Sequence, residues 1–315
     1  MDILKESRDI IEAINKAMEN YLYEKEPSHL YNAVKHLPLA GGKRLRPLVA
    51  YLACEALDGD GMKTIPFGVA LEFIHTFTLI HDDIMDRDEM RRGMPAVHKE
   101  YGENAAILAG DTLFAKAFEA VSMMKNDAVV KRLTKNLSIM AKEICEGQAL
   151  DVEFEGVEYI DEPMWFEMIE KKTARMFEHA AMGGAIVANA SEKQIEAMRK
   201  YGLNLGMAFQ IWDDCLDVIG KDIGKPVGSD IREGKKTLMY LHSYKIDKEA
   251  LKDYGKEASV DKIIEIFEKN GSIEYAKNIA YEHSKKAIDA IKEIKDSKAK
   301  HMLIELAKFA VEREK

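Results

Sequence analysis

The sequence predicts an all-α fold, built as a single domain over residues 1–315 around a large central helix bundle. Apolar residues recur with helical spacing along nearly the whole chain, beginning with the stripe of Ile3, Ile10 and Ile14. Only 7 prolines occur, and none interrupts a long periodic run. No run of Val, Ile and Thr alternates with polar residues between turn signals, so no strand is predicted.

Local signals place the elements in order along the chain. Pro27 ends a first helix, and Ser28 is a suitable cap for a short second helix. A loop with a Gly-Gly pair at 41–42 leads into a third helix at Pro47, which ends near 58–61. Further helices are expected over 64–88, 104–125, 127–149, 161–182, 192–219, 236–245, 259–269, 274–294 and 297–313, with irregular segments at 91–95, 150–160 and 221–234.

The composition excludes several functional classes. Lys and Arg number 46 against 55 Asp and Glu, and this acidic balance argues against nucleic-acid binding. The 3 cysteines have no paired spacing, which indicates a reducing compartment rather than disulfides or a zinc site. The longest weakly polar run, 180–190, is too short to cross a bilayer, and the N-terminal residues do not resemble a signal peptide. We therefore expect a cytoplasmic protein without stable membrane insertion.

Two clusters of aspartates stand out. The first consists of Asp82, Asp83 and Asp86 at the end of an apolar helical stretch, and a similar cluster follows a second apolar stretch at 213–217. Asp82 and Asp86 are four residues apart on one helix face, where like charges repel and a divalent cation would relieve the repulsion. The six predicted metal ligands are Asp82, Asp83, Asp86, Asp213, Asp214 and Asp217.

The ligand chemistry of these clusters predicts the metal and the substrate class. Carboxylates without His or Cys partners favour Mg²⁺ or Mn²⁺ over zinc. If the two helices face each other across a cavity, the six carboxylates could hold several ions. Mg²⁺ usually completes its coordination shell with phosphate oxygens, so a phosphorylated substrate is expected.

Basic residues flank both clusters, as phosphate binding requires. The candidates on loops are Lys43, Arg46, Arg91, Arg92 and Lys225. Spacing alone does not decide which lysine of the pairs 171–172 and 235–236 faces a site. His75 lies seven residues before Asp82, on nearly the same helix face, and Gln210 lies one turn before Asp213, so both are candidate cavity residues.

Taken together, these motifs resemble those of the trans-isoprenyl diphosphate synthases (polyprenyl synthetases). The matching segments are 41–47, 81–86 with 91–93, 172–173, 209–217, and 224–226 with Asp230. The resemblance implies an isoprenoid synthase-type helical bundle around a central cavity, usually as a homodimer. It also implies condensation of isopentenyl diphosphate with an allylic diphosphate, namely dimethylallyl, geranyl or farnesyl diphosphate.

The resemblance assigns roles to individual residues. About three Mg²⁺ ions would be held mainly by Asp82, Asp86 and Asp213, with Asp83, Asp214 and Asp217 assisting. The isopentenyl diphosphate site would consist of Lys43, Arg46, His75 and Arg92. Contacts to the allylic substrate would come from Arg91, Lys172, Thr173, Gln210, Lys225 and Lys235. The residues expected to be catalytic are Asp82, Asp86, Asp213, Lys172 and Gln210.

The same resemblance predicts the mechanism and the product. Diphosphate leaves readily only when its developing charge is neutralised, so ionisation, condensation and proton loss to the departing diphosphate are expected in that order. Phe77 lies five residues before Asp82, about 7.5 Å deeper along the helix, and Thr78 lies more directly beneath Asp82. This pattern resembles the archaeal-type geranylgeranyl synthases, which implies that Phe77 and Thr78 limit the chain length of the product. The C20 product is therefore expected, with C15 farnesyl diphosphate as the alternative.

Three other functions share parts of this pattern. A class I terpene cyclase shares the first aspartate motif, but it would normally carry an Asn/Asp–Ser/Thr–Glu motif in place of 213–217. The Glu-x-x-His spacing of Glu72 and His75 fits a di-iron bundle, which needs a second such motif and bridging glutamates as well. A non-catalytic synthase subunit would have degraded aspartate motifs, whereas both motifs are intact here.

Overall fold

The structure is a computed structural model that describes residues 3–220, 227–255 and 259–313. Its contacts divide the chain into two compact units. The first unit comprises Met1–Ala141, His179–Glu196 and Ile294–Leu303, and the second comprises Lys142–Glu178, Ala197–Glu293 and Ile304–Lys315. The expectation of one domain over the whole chain stays a prediction.

The chain begins with a series of helices and one small hairpin. The helices are α1 (Ile3–Glu6), α2 (Arg8–Tyr21), α3 (Ser28–His36), α4 (Leu45–Glu55), α5 (Ile65–Met85), α6 (Val97–Tyr101) and α7 (Glu103–Ser122), with 3-10 turns at Pro38–Ala40 and Gly61–Thr64. Strands β1 (Met90–Arg91) and β2 (Met94–Pro95) pair antiparallel where only a polar loop was expected. Arg92 and Gly93 have φ of 53° and 75°, as a two-residue hairpin turn of type I′ requires.

Helix α5 is the core element of the first unit. Pro66 lies in its first turn, where the missing N–H costs nothing, and the helix is apolar on nearly every face. It packs against α4 and α7, and the side chains of Phe67 and Phe73 are completely buried. Burial of each of these rings contributes roughly 1.5–3 kcal/mol to stability, so the first half of α5 is firmly held.

The remaining helices follow along the chain. They are α8 (Asp127–Glu155), α9 (Glu162–Ile169), α10 (Arg175–Val187), α11 (Glu192–Ile219), α12 (Ser229–Glu233), α13 (Leu238–Ile246), α14 (Val260–Lys269), α15 (Ser272–Ala290) and α16 (Lys298–Glu312), with a 3-10 turn at Glu249–Leu251. The segment 150–160, expected to be irregular, is helical as far as Glu155. The expected loop 221–234 contains α12, and residues 221–226 lie outside the described part.

The second unit differs from the sequence prediction at one functionally important place. The predicted helix 161–182 is interrupted by the π-helix Glu170–Ala174 between α9 and α10. The unit has its own buried core, to which Trp165, Ile211 and Phe267 belong. Within the described residues of both units, we find no helix whose length and apolar character would suit a membrane crossing.

Candidate active site

The first aspartate cluster forms the end of α5. Asp82 and Asp86 are half-buried, whereas Asp83 is completely buried. The 3.6-residue repeat places Asp82 and Asp86 on one side of the helix and turns Asp83 about 100° away, as the spacing predicted.

Asp83 is paired with Arg91 from the hairpin. Arg91 Nε donates to Asp83 Oδ1 at 2.7 Å, and Arg91 Nη2 donates to Asp88 Oδ2 at 2.8 Å. Burial raises the pKa of the Asp83 carboxyl, and the Arg91 guanidinium opposes that rise. This ion pair fixes the orientation of Arg91. The metal-binding role of Asp83 and the substrate contact of Arg91 stay predictions.

A cationic group lies next to the Gly-Gly loop of the first unit. Arg46 Nη1 lies 3.3 Å from His75 Nε2, and Arg92 Nη1 donates to the Gly41 carbonyl at 2.6 Å. A Cβ on Gly42 would come within 3.3 Å of the Arg92 guanidinium, so glycine keeps this space open. Lys43 is exposed on the same loop.

His75 is neutral in this cationic surrounding. Burial lowers its pKa well below the ordinary value, and Arg46 and Arg92 lower it further. Its Nε2 therefore accepts the hydrogen bond from Arg46 instead of adding to the positive charge. Three residues assigned to the isopentenyl diphosphate site are thus found together in the first unit.

Arg44, the middle cation of the loop, turns into the protein. Its φ is 50°, and its guanidinium donates to Asn15 Oδ1 at 2.8 Å and to Glu72 Oε2 at 2.8 Å. Glu72 therefore neutralises a buried arginine. Since its carboxylate is paired with Arg44, this contact argues against Glu72 as an iron ligand in a di-iron site. The same spacing also occurs from Glu26 to His29, where Glu26 Oε2 accepts from the Ser28 backbone N–H at 2.8 Å.

The two predicted chain-length residues lie on α5 below the aspartates. The Phe77 ring is 4.8 Å from the His81 ring and 5.4 Å from the Phe114 ring, and Phe114 is 5.3 Å from Phe118. Thr78 Oγ1 donates to the His75 carbonyl at 2.8 Å. The two rings on α7 were not among the predicted site residues, although their spacing of four residues places them on one helix face.

In the second aspartate cluster, on α11, the three carboxylates have different surroundings. The Asp213 side chain is 55% exposed. Asp214 is half-buried and accepts from Gln210 Nε2 at 2.8 Å, while Gln210 Oε1 accepts from Thr173 Oγ1 at 2.7 Å. Burial raises the pKa of Asp214 well above its ordinary value, and the charge of Asp230 raises it further.

Asp217 caps a neighbouring helix. Its Oδ1 accepts from Ser229 Oγ at 2.6 Å and from the Ser229 N–H at 3.1 Å, and its Oδ2 accepts from the Asp230 N–H at 3.1 Å. These N–H groups belong to the first turn of α12, which has no intrahelical acceptor for them. Both carboxylate oxygens are therefore engaged, and a direct metal contact by Asp217 stays a prediction.

The π-helix carries two neighbouring lysines, Lys171 and Lys172, of which Lys172 lines a pocket in the second unit. A Cβ on Gly147 would lie 2.2 Å from the Lys172 backbone nitrogen, so this glycine lets α8 touch the π-helix. Lys172 Nζ donates to Asp151 Oδ2 at 2.5 Å, whereas Lys171 pairs with Glu167 at 3.0 Å and with Glu146 at 3.2 Å. The contact of Lys172 with the allylic substrate stays a prediction.

Several predicted residues line one pocket of the second unit. Its lining consists of Asp151, Trp165, Met168, Ile169, Lys172, Thr173, Gln210, Asp214, Asp230, Lys235, Lys236 and Thr237. Both Lys235 and Lys236 reach it, and the Lys236 ammonium also lies over the Tyr240 ring at 5.5 Å. Lys225 lies outside the described residues. Cationic, amide and carboxylate groups therefore meet an apolar wall here, which suits a diphosphate with a hydrocarbon tail.

No preformed metal centre is found in the described ranges. In residues 3–220, 227–255 and 259–313, no three His, Cys, Asp or Glu side chains are grouped so that they could hold a metal ion.

Comparison with known proteins identifies the family. The sequence matches the Polyprenyl synthetase family over residues 27–276. It is 40% identical to a geranylgeranyl diphosphate synthase of Methanosarcina mazei, covering 100% of this chain and 99% of that protein. It is 44% identical to a short chain isoprenyl diphosphate synthase of Methanothermobacter thermautotrophicus, covering 100% and 98%.

The fold agrees with that result. The crystal structure of the geranylgeranyl pyrophosphate synthetase from Pyrococcus horikoshii Ot3 superposes with a TM-score of 0.94 at 44% identity, covering 99% of this chain and 98% of that chain. The predicted all-α isoprenoid synthase fold is confirmed. The chain belongs to the polyprenyl synthetase family.

Proposed function

We propose that this chain condenses isopentenyl diphosphate with allylic diphosphates to geranylgeranyl diphosphate. The two cations Arg46 and Arg92, together with the neutral His75, carry this proposal, because an enzyme that ionises a single diphosphate has no second diphosphate to bind there. The same group disfavours a terpene cyclase. The Methanosarcina mazei relative, which is named a geranylgeranyl diphosphate synthase, supports the C20 product.

The residues present fit Mg²⁺. The candidate ligands are all carboxylates, and the side chain of Asp213 is 55% exposed while Asp82 and Asp86 are half-buried. On the first unit Asp82 and Asp86 would hold Mg²⁺, and on the second unit Asp213 would do so. When bound, about three Mg²⁺ ions supply Lewis-acid neutralisation of the diphosphate charge, and Mn²⁺ is expected to substitute.

The other three aspartates would assist metal binding in this proposal and also hold neighbouring groups. Asp83 orients Arg91, Asp214 fixes the Gln210 amide, and Asp217 holds the start of α12. Each of these carboxylates accepts a hydrogen bond within its own unit, as Asp213 does from Arg313, so its orientation toward a metal is restricted.

The second-unit pocket suits the allylic substrate. Lys172 and Lys235 bind diphosphate oxygens as point charges. Gln210 donates its N–H to Asp214, so its amide oxygen is directed toward Thr173 and presents a negative dipole to the allylic carbons. That dipole stabilises positive charge as it develops and adds no nucleophile that could trap the cation.

The reaction then proceeds without covalent attachment to the protein. The C–O bond of the allylic diphosphate breaks, and its electron pair leaves with the diphosphate. The isopentenyl double bond attacks the allylic cation and forms a C–C bond. The proton lost from the resulting cation goes to the departing diphosphate, and the apolar residues around the tail exclude water that would otherwise quench the cation.

Two further properties belong to the proposal. The family resemblance supports a homodimer. Size-exclusion chromatography with light scattering would test this oligomeric state. The three cysteines Cys54, Cys145 and Cys215 are free thiols, which supports a cytoplasmic location.

Incorporation of labelled isopentenyl diphosphate tests the activity. Label should enter an acid-labile allylic product only when an allylic diphosphate and Mg²⁺ are both present. EDTA should abolish incorporation, and excess Mg²⁺ should restore it. Full turnover in a chelated sample would contradict the proposed metal chemistry, and release of a hydrocarbon without isopentenyl diphosphate would favour a cyclase.

A further inference from the structure

Arg313, directly after α16, contacts the second aspartate cluster from the far end of the sequence. Its side chain is only 2% exposed, and its Nη2 donates to Asp213 Oδ1 at 2.7 Å. The same nitrogen donates to the Phe209 carbonyl at 3.2 Å, one turn earlier on α11. A buried cation is costly unless it is paired, and Asp213 supplies the pairing carboxylate.

The geometry around this contact requires an arginine. The guanidinium carbon lies 3.7 Å from the centroid of the Phe209 ring, in a cation–π arrangement. The Trp212 Nε1–H donates to the Arg313 backbone carbonyl at 3.0 Å, so the backbone of this residue is held as well. A planar fork stacked on a ring presents a fixed edge to a carboxylate, which a flexible ammonium cannot do.

We propose that Arg313 is a positioning residue for the condensation, which holds the carboxylate of Asp213 in the orientation that binds the metal. The inference rests on the proposed metal role of Asp213. An aspartate that is 55% exposed would otherwise sample several rotamers, and the bond to Arg313 restricts them. Groups that orient metal ligands in this way commonly account for a factor of about 10–100 in affinity or activity.

The chain offers a matched control for the stability of α16. Ser284 Oγ donates to the Ala307 carbonyl at 2.7 Å and thereby ties α16 to α15 within the second unit. Ser284→Ala removes that tie without changing any contact of Asp213. It separates a general loosening of the C-terminal helix from a specific effect on the carboxylate.

Mn²⁺ binding to the full-length protein, measured by calorimetry in the presence of inorganic diphosphate, tests the inference. Arg313→Met keeps the apolar stem on Phe209 and should weaken Mn²⁺ binding by about 10–100-fold, with the KM for isopentenyl diphosphate nearly unchanged. Arg313→Lys keeps the charge and should recover part of the loss. Ser284→Ala should bind Mn²⁺ like the wild type.

Several results would overturn the inference. Wild-type Mn²⁺ affinity in folded Arg313→Met, or equal weakening in Ser284→Ala, would contradict it. If Arg313→Met does not fold, wild-type affinity in Arg313→Lys would contradict it instead. Asp213→Ala separates the two proposals: if it binds Mn²⁺ normally, the metal role of Asp213 fails together with this inference. If Asp213→Ala weakens Mn²⁺ binding and the Arg313 variants do not, the positioning role of Arg313 is rejected and the metal role of Asp213 is kept.

Discussion

Replacing Phe77 by serine should lengthen the product. The Phe77 ring meets the His81 and Phe114 rings edge to face, with interplanar angles of 72° and 71°. Each such pair contributes about 0.5–1.5 kcal/mol, and the half-buried ring adds its own burial, so Phe77→Ser should cost about 3 kcal/mol of stability. Folded domains are typically stable by about 5–15 kcal/mol, so a loss of this size should leave the protein folded.

The size of the extension follows from the packing of α5 and α7. His81 Nε2 lies 3.2 Å from the Ile107 carbonyl, whereas Phe77 contacts Phe114, so the two helices run antiparallel. Phe118 therefore lies about 6 Å farther than Phe114 from the aspartates. Removal of the Phe77 ring should admit one more C5 unit before Phe118 blocks the chain. Phe77→Ser combined with Phe118→Ala should extend it further.

Chromatography of dephosphorylated products from farnesyl diphosphate and labelled isopentenyl diphosphate measures the effect. Phe77→Ser should shift the main product from C20 to C25. Phe67→Leu is a matched control, since Phe67 is a completely buried ring on the same helix, far from the aspartates, and its product should remain C20. A folded Phe77→Ser variant with an unchanged product would refute the chain-length reasoning.

Three further perturbations test other parts of the account. Glu72→Ala leaves Arg44 buried without its carboxylate, so urea denaturation should show a loss of about 3–5 kcal/mol, and a loss below about 1 kcal/mol would contradict the buried ion pair. Asp82→Ala should lower kcat by several orders of magnitude, whereas Arg46→Ala should mainly raise the KM for isopentenyl diphosphate; steady-state kinetics with the reverse pattern would mean that the two substrate sites are exchanged. Burial lowers the pKa of His283 from its ordinary 6.5 to about 4, because the folded state disfavours the charged imidazolium. The free energy of unfolding should therefore fall as the pH drops from 6.5 toward 4, where the unfolded chain takes up a proton that the folded chain does not. The pH dependence of urea denaturation should be weaker for His283→Gln, and an identical dependence would contradict the shifted pKa.

Local sequence patterns were sufficient for the helical fold but not for the π-helix. The apolar repeat over 161–182 predicted one continuous helix, because a single extra residue in one turn barely changes the period. The interruption depends on close approach by distant segments. A Cβ on Gly206 would lie 2.5 Å from the Ala174 Cα. Because Gly206 and Gly147 both lie outside the segment 161–182, the sequence of that segment gives no indication of their close approach.

The spacing of the aspartates predicted a candidate site, but it did not predict the hydrogen-bond partners of the individual carboxylates. Asp83 accepts from Arg91, and Asp217 accepts from Ser229. Those partners come from a hairpin and from a short helix whose positions depend on tertiary packing. Arg44, the middle cation of the Gly-Gly loop, turns inward for the same reason, because its carboxylate partner Glu72 lies on another helix.

The chain length of the product made by the wild-type protein is the decisive measurement for the proposed function. With farnesyl diphosphate, labelled isopentenyl diphosphate and Mg²⁺, we predict a single condensation whose dephosphorylated product is the C20 alcohol geranylgeraniol. A main product longer than C20, or recovery of all label as unreacted isopentenyl diphosphate from folded protein, would contradict the proposed function.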